Sequence, residues 1–424
     1  MPEPTYEQCL EECPELEKVI HKNMWDYVTG CDKFTQSLME SVWSKNAKKN
    51  LKRLYKKHGS LTQSFLGFGR DKALIGVGSG PSLNNNIDHL EEVYKFNARF
   101  TLQDQKFIIA VANHQFKPLL KRKIFPHFVF LTDGGSHIYD QLCTDIPKFG
   151  QSTILVANIY ADHKTLAEWD RQGRLICFTI PSTEEYQEMF KKYTGEDPGP
   201  LTVSSGGNVL NNMFFTGLRI LHARYFMALG NDLSYPYDPN LDKRRSMFYA
   251  DGDYSVNIKK GVDEAKDRYV WLGYRMYDNP FQQGEKMIKF EPVSTSRQMF
   301  VYKLWIELHV TTWGKTHSDP FIYFNCSENG ILGVLAKEHE PRELMDDPNN
   351  WYLMDEVIPK RWRTRSFLQS VNQFLEANLI CQQRRAIDTG VSPAAGSLLK
   401  TDGAGLVVPI TNQKANSGAT GIIL

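Results

Sequence analysis

The chain has 424 residues, with 50 basic and 49 acidic side chains and 12% aromatic residues. That length supplies a core for one large domain or two ordinary ones. The charge balance excludes a protein whose whole surface is a polycation for nucleic acid, and the aromatic content excludes a disordered chain.

The seven cysteines (Cys9, Cys13, Cys31, Cys143, Cys177, Cys326 and Cys381) form no CxxC pair, so neither a zinc site nor a disulfide framework is expected. The N-terminus is acidic, and no apolar run reaches the roughly 18 residues of a membrane span. These features predict a soluble protein of a reducing, cytoplasmic compartment. There the glycosylation pattern Asn325-Cys326-Ser327 would be a chance match.

In chain order, residues 1–20 predict a short acidic helix carrying Glu3, Glu7, Glu11, Glu12, Glu15 and Glu17. A helix follows over about 33–58. Its Lys45, Lys48, Lys49, Lys52, Arg53 and Lys56 fall on one face, with Val42, Leu51, Leu54 and Tyr55 towards the other. Such a stripe is either a solvated face or a surface for phosphates, an acidic partner or a membrane. A strand–helix alternation then begins. Strands are expected at Ala73–Val77, Phe107–Val111, His127–Leu131, Thr153–Ala157, Leu175–Ile180 and Tyr225–Leu229. Helices are expected from Pro81 or Ser82 through Tyr94, after a capping box with Ser182 at the cap and Glu185 three residues on, and from 202–208 to Leu221. Units of this kind predict an α/β fold with a doubly wound, mostly parallel, Rossmann-like sheet.

Residues 234–295 show weak periodicity and predict an irregular insertion or lid. A helix near Thr295–Thr311 and a strand at Phe321–Asn325 follow, and 336–388 predict a helical, aromatic-rich region. Residues 389–424 contain no aromatic side chain and predict an extended arm or tail. The expected organisation is an N-terminal helical region (1–60), a Rossmann-like α/β domain (61–335), a C-terminal helical region (336–388) and the arm.

Candidate functional residues cluster where the strands end. Gly78-Ser79-Gly80-Pro81-Ser82 is a glycine turn between a buried strand and a helix start. Its uncovered N–H groups and the helix N-terminus suit a phosphate, unless it is merely a tight turn. It is no P-loop, and Leu83 stands where a dinucleotide fingerprint would place its third glycine. Asn113-His114 follows the second strand, where the amide suits a base or sugar and the imidazole acid–base work. Asp133, followed by Gly134-Gly135, suits a ribose hydroxyl or a divalent ion, or is ordinary turn chemistry. Ser204-Ser205-Gly206-Gly207-Asn208 is a second glycine-rich helix start. Asp232 and Glu328 end further strands. In doubly wound sheets ligands bind outside the carboxyl ends of the strands, and these positions share that edge.

These motifs carry a resemblance. Gly78-Ser79-Gly80-Pro81-Ser82-Leu83 is similar to the G-x-GPSL signature of bacterial sialyltransferases of glycosyltransferase family 42. It also resembles the signature of the domain of unknown function 115 proteins, which include the motility accessory factors, flagellin glycosyltransferases, and the archaeal 6-hydroxymethylpterin pyrophosphokinases. In sequence order, Ile109–Asn113, Pro126–Asp133, Gly206–Val209, Ala228–Tyr235 and Asn325–Gly333 resemble further family motifs. Asn231 is a departure where glutamine is expected. The resemblance covers about residues 60–335.

The resemblance implies a nucleotide-binding transferase in which Gly78, Ser79, Gly80, Pro81, Ser82 and Asn113 hold the nucleotide. Ser205, Gly206, Gly207, Asn208, Asp232, Asn325 and Glu328 complete the site. The first expectation is a glycosyltransferase taking a nonulosonic or sialic acid type sugar from a CMP donor to a protein or glycan acceptor, with no further cofactor. His114, His137 and Asp133 are the catalytic candidates, and His222 is a further candidate for the general base that the resemblance implies. One alternative is a pyrophosphokinase using ATP, with Mg²⁺ on Asp133 and Asp232. Another is a non-enzymatic subunit of a multichain assembly such as a virus particle, with the 389–424 arm as the tether, or as the contact of a homo-oligomer.

Overall fold

A computed structural model describes residues 5–146, 152–199, 202–203, 207–237, 268–282, 285–316, 320–336, 350–388, 399–401 and 407–409. Two compact units result, Met1–Phe367 and Leu368–Leu424.

The first unit is built on eight strands: β1 (Ala73–Val77), β2 (Phe107–Ala112), β3 (Phe128–Leu131), β4 (Ile154–Asn158), β5 (Ile176–Thr179), β6 (Tyr225–Leu229), β10 (Ile322–Asn325) and β14 (Trp362–Thr364). Their order is β14-β10-β6-β1-β2-β3-β4-β5, and every pairing is parallel. The chain winds outward from β1 to β5, then crosses back to lay β6 on the other side of β1. This is the doubly wound sheet that the strand–helix alternation predicts, because a parallel pair needs a crossover and helices must cover both faces.

The strands are continuous apolar runs, and β1 and β2 are buried at every residue. One face carries Leu74, Ile108, Phe128, Phe130 and Phe226 under the apolar sides of α10 (Val209–Arg219) and α11 (Arg297–Thr316). Towards β14 it becomes aromatic. Tyr323 stacks on Trp362 with ring centroids 4.5 Å apart, and Phe226 lies 5.4 Å from Tyr323. On the same unit are α1 (Tyr6–Glu12), α2 (Lys22–Asn50), α3 (Lys56–His58) and α4 (Leu61–Phe65), then α5 (Leu83–Asn97), α6 (Phe116–Lys121), α7 (Tyr139–Leu142), α8 (His163–Arg171) and α9 (Glu184–Thr194). A π turn over Leu51–Tyr55 joins α2 to α3.

Several expectations are corrected. The 234–295 region is not irregular where it is described. β8 (Arg268–Asp278) and β9 (Lys286–Ser296) form a long antiparallel hairpin, flanked by β7 (Tyr235–Pro236) and β11 (Asn329–Gly330). Region 336–388 is not all helical, since β12 (Val334–Ala336) pairs with β13 (Trp351–Leu353) and β14 extends the main sheet. The expected capping box at Ser182 does not form: Thr183 is the cap residue of α9, without a side-chain bond to it. Val42 is 42% exposed and does not pack inward. The first glycine-turn helix begins at Leu83, two residues after Pro81.

The second unit holds most of α12 (Phe367–Asp388) and the antiparallel pair β15 (Leu399–Thr401) and β16 (Val407–Pro409). The rest of the 389–424 arm lies outside the described residues, as do residues 238–267 of the expected lid.

Candidate active site

The connection after β1 runs to one side of the sheet and the chain returns through β6 on the other, so the carboxyl ends of β1 and β6 form the topological switch point, the place where doubly wound sheets bind ligands. The glycine turn sits there, and its own atoms explain its composition. A Cβ on Gly78 would collide with the Gly230 carbonyl oxygen, and one on Gly80 would lie 2.6 Å from Asp232 Oδ1. The Gly78 N–H donates to the Leu229 carbonyl at 2.7 Å and the Gly80 N–H to the Gly230 carbonyl at 2.8 Å. Ser82 donates its backbone N–H to Asp232 Oδ2 at 2.8 Å and its hydroxyl to Oδ1. Three of the N–H groups expected to cradle a phosphate therefore hold the turn against the β6 loop. Among the described residues, Ser79 is the turn residue whose N–H has no protein acceptor.

Asp232 is 1% exposed. Burial pushes its carboxyl up to about 7, against the opposing pull of the two Ser82 donors. Its carboxyl group caps the turn that opens α5, and both its oxygens are engaged. Its loop is tied down further. Asn231 donates its N–H to Ser327 Oγ at 2.9 Å, and Ile331 donates to the Asp232 carbonyl at 3.0 Å. Asn325 donates its side-chain amide to the Leu332 carbonyl, and Glu328, at φ +59°, accepts from the Phe367 N–H. In this structure Asn325 and Glu328 brace the rim from below rather than face outward.

The edge beyond β2 is different in kind. Asn113, 8% exposed, donates to Gln141 Oε1 at 2.5 Å, and His114 lies beside it in a one-turn 3₁₀ helix. After β3 the loop folds back so that Asp133 Oδ2 lies 3.2 Å from His137 Nε2, with both side chains about half exposed. The other oxygen, Oδ1, accepts the Gly135 N–H at 2.7 Å. Burial alone would push the Asp133 carboxyl up, but His137 and the Gly135 N–H outweigh it and hold the carboxyl below the usual range. Gly135 makes the fold-back feasible, since a Cβ there would sit 2.7 Å from the His137 ring. Strands lie about 4.8 Å apart, so the β3 loop is about 10 Å along the rim from the β1 turn.

Helix α2 fixes this loop. Trp43 stacks on Tyr160 at 4.4 Å and packs where a Cβ on Gly134 would be. Asn46 donates to the carbonyls of Gly134 and Tyr160, and Asn50, one turn on, to those of Ile159 and Ala161.

Of the remaining sequence candidates, Asn208 caps α10 by accepting the Asn211 N–H at 2.8 Å, and Gly207 has φ +75° under the Tyr302 ring. As α10 leads into β6, its N-terminus points to the same rim. Ser205 and Gly206 lie outside the described residues. His222 precedes β6, at the opposite edge of the sheet, where its Nδ1 accepts from Arg70, so it does not share the rim.

One rim residue escaped the sequence reading. Asn158 ends β4, is 1% exposed, and neither its amide nitrogen nor its oxygen meets a protein partner. Its only sequence signal is a polar residue closing an apolar strand, which turns also use. Among the described residues no three His, Cys, Asp or Glu side chains come together as a metal site would require, and no helix is long and apolar enough to cross a membrane.

Comparison with known proteins adds the following. No curated protein matches. Among solved structures, the MAf glycosyltransferase from Magnetospirillum magneticum AMB-1 is similar over 84% of this chain and 48% of its own, at 16% identity and a TM-score of 0.43. This chain thus spans about half the length of that protein. Residues 45–238 match a family model described as MptE-like, 6-hydroxymethylpterin diphosphokinase MptE-like. The matched segment carries β1 to β6, the switch-point crevice and the Asp133–His137 pair, so it is this part of the chain that is similar to the MptE-like family.

Proposed function

We propose that this chain is a glycosyltransferase that moves a sugar from a nucleotide donor to an acceptor hydroxyl, the donor being a CMP-activated nonulosonic or sialic acid. The observation that carries the reading is the Asp133–His137 pair, exposed on the ligand-binding edge of the sheet. In a metal-free displacement the enzyme must take a proton from the acceptor hydroxyl and steady the leaving phosphate. The imidazole takes the proton, and the carboxylate at 3.2 Å stabilises the imidazolium that results. The acceptor oxygen bonds to the anomeric carbon as the bond from that carbon to the phosphate oxygen breaks, and the nucleotide monophosphate departs. The Ser79 N–H and the N-termini of α5 and α10 face the developing charge. Asn113 and Asn158 supply amides for the base and ribose. The separation of about 10 Å between the β1 turn and the β3 loop suits a nucleotide lying across the intervening strand.

The description of the family favours a second reading, pyrophosphoryl transfer from ATP with Mg²⁺ on Asp133 and Asp232. The residues fit that ion poorly. Ser82 engages both oxygens of Asp232, and His137 and the Gly135 N–H engage Asp133.

Product analysis after incubation with CMP-N-acetylneuraminate, or with ATP and Mg²⁺, separates the two. The first reading requires CMP release that an added hydroxyl acceptor accelerates. AMP formation from ATP with no CMP release would replace it with the second.

A further inference from the structure

The exposed face of α2 has no role in the site as described, and it carries the most uneven charge on the chain. Between Ser41 and Arg70 there is no acidic residue, while Lys45, Lys48, Lys49, Lys52, Arg53, Lys56 and Lys57 are all present and all exposed. In a protein with a formal net charge of +1 this is a local field, not a reflection of overall composition. Its neutralisation from neighbouring elements is slight. Lys57 and His58 share Asp170 at 2.5 and 2.8 Å, and Lys52 lies over the Tyr193 ring at 5.1 Å.

The face is also patterned. Leu38, Val42, Lys45, Lys49 and Lys52 recur at spacings of four, three, four and three, which places them on one stripe. Leu38 is 63% and Val42 42% exposed, so the stripe begins with two apolar side chains in water and continues as cations. Beside it runs an open groove of about 570 Å³, lined by Ser37, Ser41 and Ser44 together with Lys45, Lys48 and Lys49, with Glu40 as its one acid. Hydroxyl and ammonium donors side by side suit carboxylates. At 1.5 Å per residue the stripe is about 21 Å long, the length of about six residues of extended chain.

The inward face of the same helix turns is what holds the β3 loop, through Trp43 and Asn46 on Gly134, the residue after Asp133. A helix is about 10 Å across, so a chain lying on the basic face is within that distance of the loop carrying Asp133 and His137.

We propose that the exposed face running from Leu38 on α2 through the π turn to Lys56 at the start of α3 docks an acidic polypeptide segment with one or two apolar side chains, and that this segment belongs to the acceptor of the transfer. The docking surface stands on the charge pattern and groove alone; the acceptor role rests on the glycosyltransferase reading. An anionic membrane fits less well, because an interfacial helix needs a full apolar face, whereas Leu38 and Val42 are only two side chains and the inward face is spent on the core. Nucleic acid fits less well too, because single strands require aromatic stacking platforms and Trp43 is already stacked on Tyr160.

The test is fluorescence anisotropy of fluorescein-labelled poly-L-glutamate with the full chain, beside phosphatidylserine–phosphatidylcholine vesicles and a single-stranded oligonucleotide. The polyglutamate is expected to bind and to be released by salt. The quadruple variant K45E/K48E/K49E/K52E is expected to bind it at least about tenfold more weakly, with its melting temperature kept because all four side chains are exposed. Equal binding by wild type and variant, no binding by wild type, or tighter binding of vesicles or oligonucleotide would overturn the proposal. Anisotropy needs no turnover, so binding without any CMP release would count against the glycosyltransferase reading and the acceptor role, leaving the docking surface in place.

Discussion

The two ends of the rim use polar groups in opposite ways. At the β1–β6 crevice nearly every donor and acceptor is spent inside the protein. Gly78 and Gly80 lie against the β6 loop, Asp232 is taken by Ser82, and Asn231 is held by Ser327. At the β3–β4 edge, Asp133 and His137 are half exposed and the Asn158 side-chain amide meets no protein partner. The stretch that looks most like a motif is thus largely a structural clasp, and the groups suited to chemistry sit on a plainer loop held by α2. A glycine-rich turn shows that backbones come close at that point. Whether the close neighbour is a ligand or another strand is a tertiary fact.

Breaking the open end should have the largest effect. His137→Ala is expected to lower acceptor-dependent CMP release by about 10²–10⁴-fold, with a melting temperature close to wild type because the pair is exposed. Steady-state rates with CMP-N-acetylneuraminate check this, and an unchanged rate would remove His137 from the chemistry.

Next comes the buried acid of the clasp. Folding raises the Asp232 carboxyl from an ordinary 3.8 to about 7, so the folded state prefers the protonated form. The stability this gives is complete below about pH 4 and is lost as pH rises towards 7, by up to about 4 kcal/mol. Asp232→Asn cannot lose that proton, and its amide can still accept from the Ser82 N–H and donate to Oγ. The variant is therefore expected to gain on wild type between pH 4 and 7 and to hold a constant difference above. His127 and His309, both pushed down to about 4 by burial, lose stability in the other direction as pH falls from 6.5. Both chains share them, so they cancel in the difference. Urea unfolding across this range measures it, and a pH-independent difference would contradict the clasp as described.

Gly78→Ala should cost about 2–3 kcal/mol, because its Cβ meets the backbone carbonyl of Gly230, which has little room to move. The smallest effect sharpens the contrast. Asn158→Leu replaces an unpartnered buried amide with an apolar side chain of similar size and should raise stability by about 1 kcal/mol while weakening nucleotide binding. A destabilised Asn158→Leu would mean that the amide is satisfied in the protein alone.

Much of the sheet was legible in the sequence. Strands β1 to β6 lie within a residue or so of where their apolar runs place them, since a buried parallel strand leaves little else to read. The β8–β9 hairpin was not legible, because its outer half alternates Tyr, Arg, Met and Lys on a largely exposed ribbon. β13 and β14 have three residues each, too few for any period. Val42 fell on the wrong side because six lysines and arginines define a broad arc, not a phase. In the site, Asp133 was found from its place at a strand end. Its pairing with His137 depends on Gly135 letting the loop fold back, and the engagement of Asp232 depends on Ser82, 150 positions away in sequence.

The central claim, that a cytidine nucleotide lies across the rim from the β1 turn past Asn113 to the β3 loop, is tested most directly by the thermal shift with CMP in wild type and Asn113→Ala. At a hundred times its dissociation constant CMP should stabilise the wild type by about 2.7 kcal/mol, and the variant, with a similar ligand-free melting temperature, should show little or no shift. Equal stabilisation of both, or stabilisation by ATP with Mg²⁺ and none by CMP, would contradict the account.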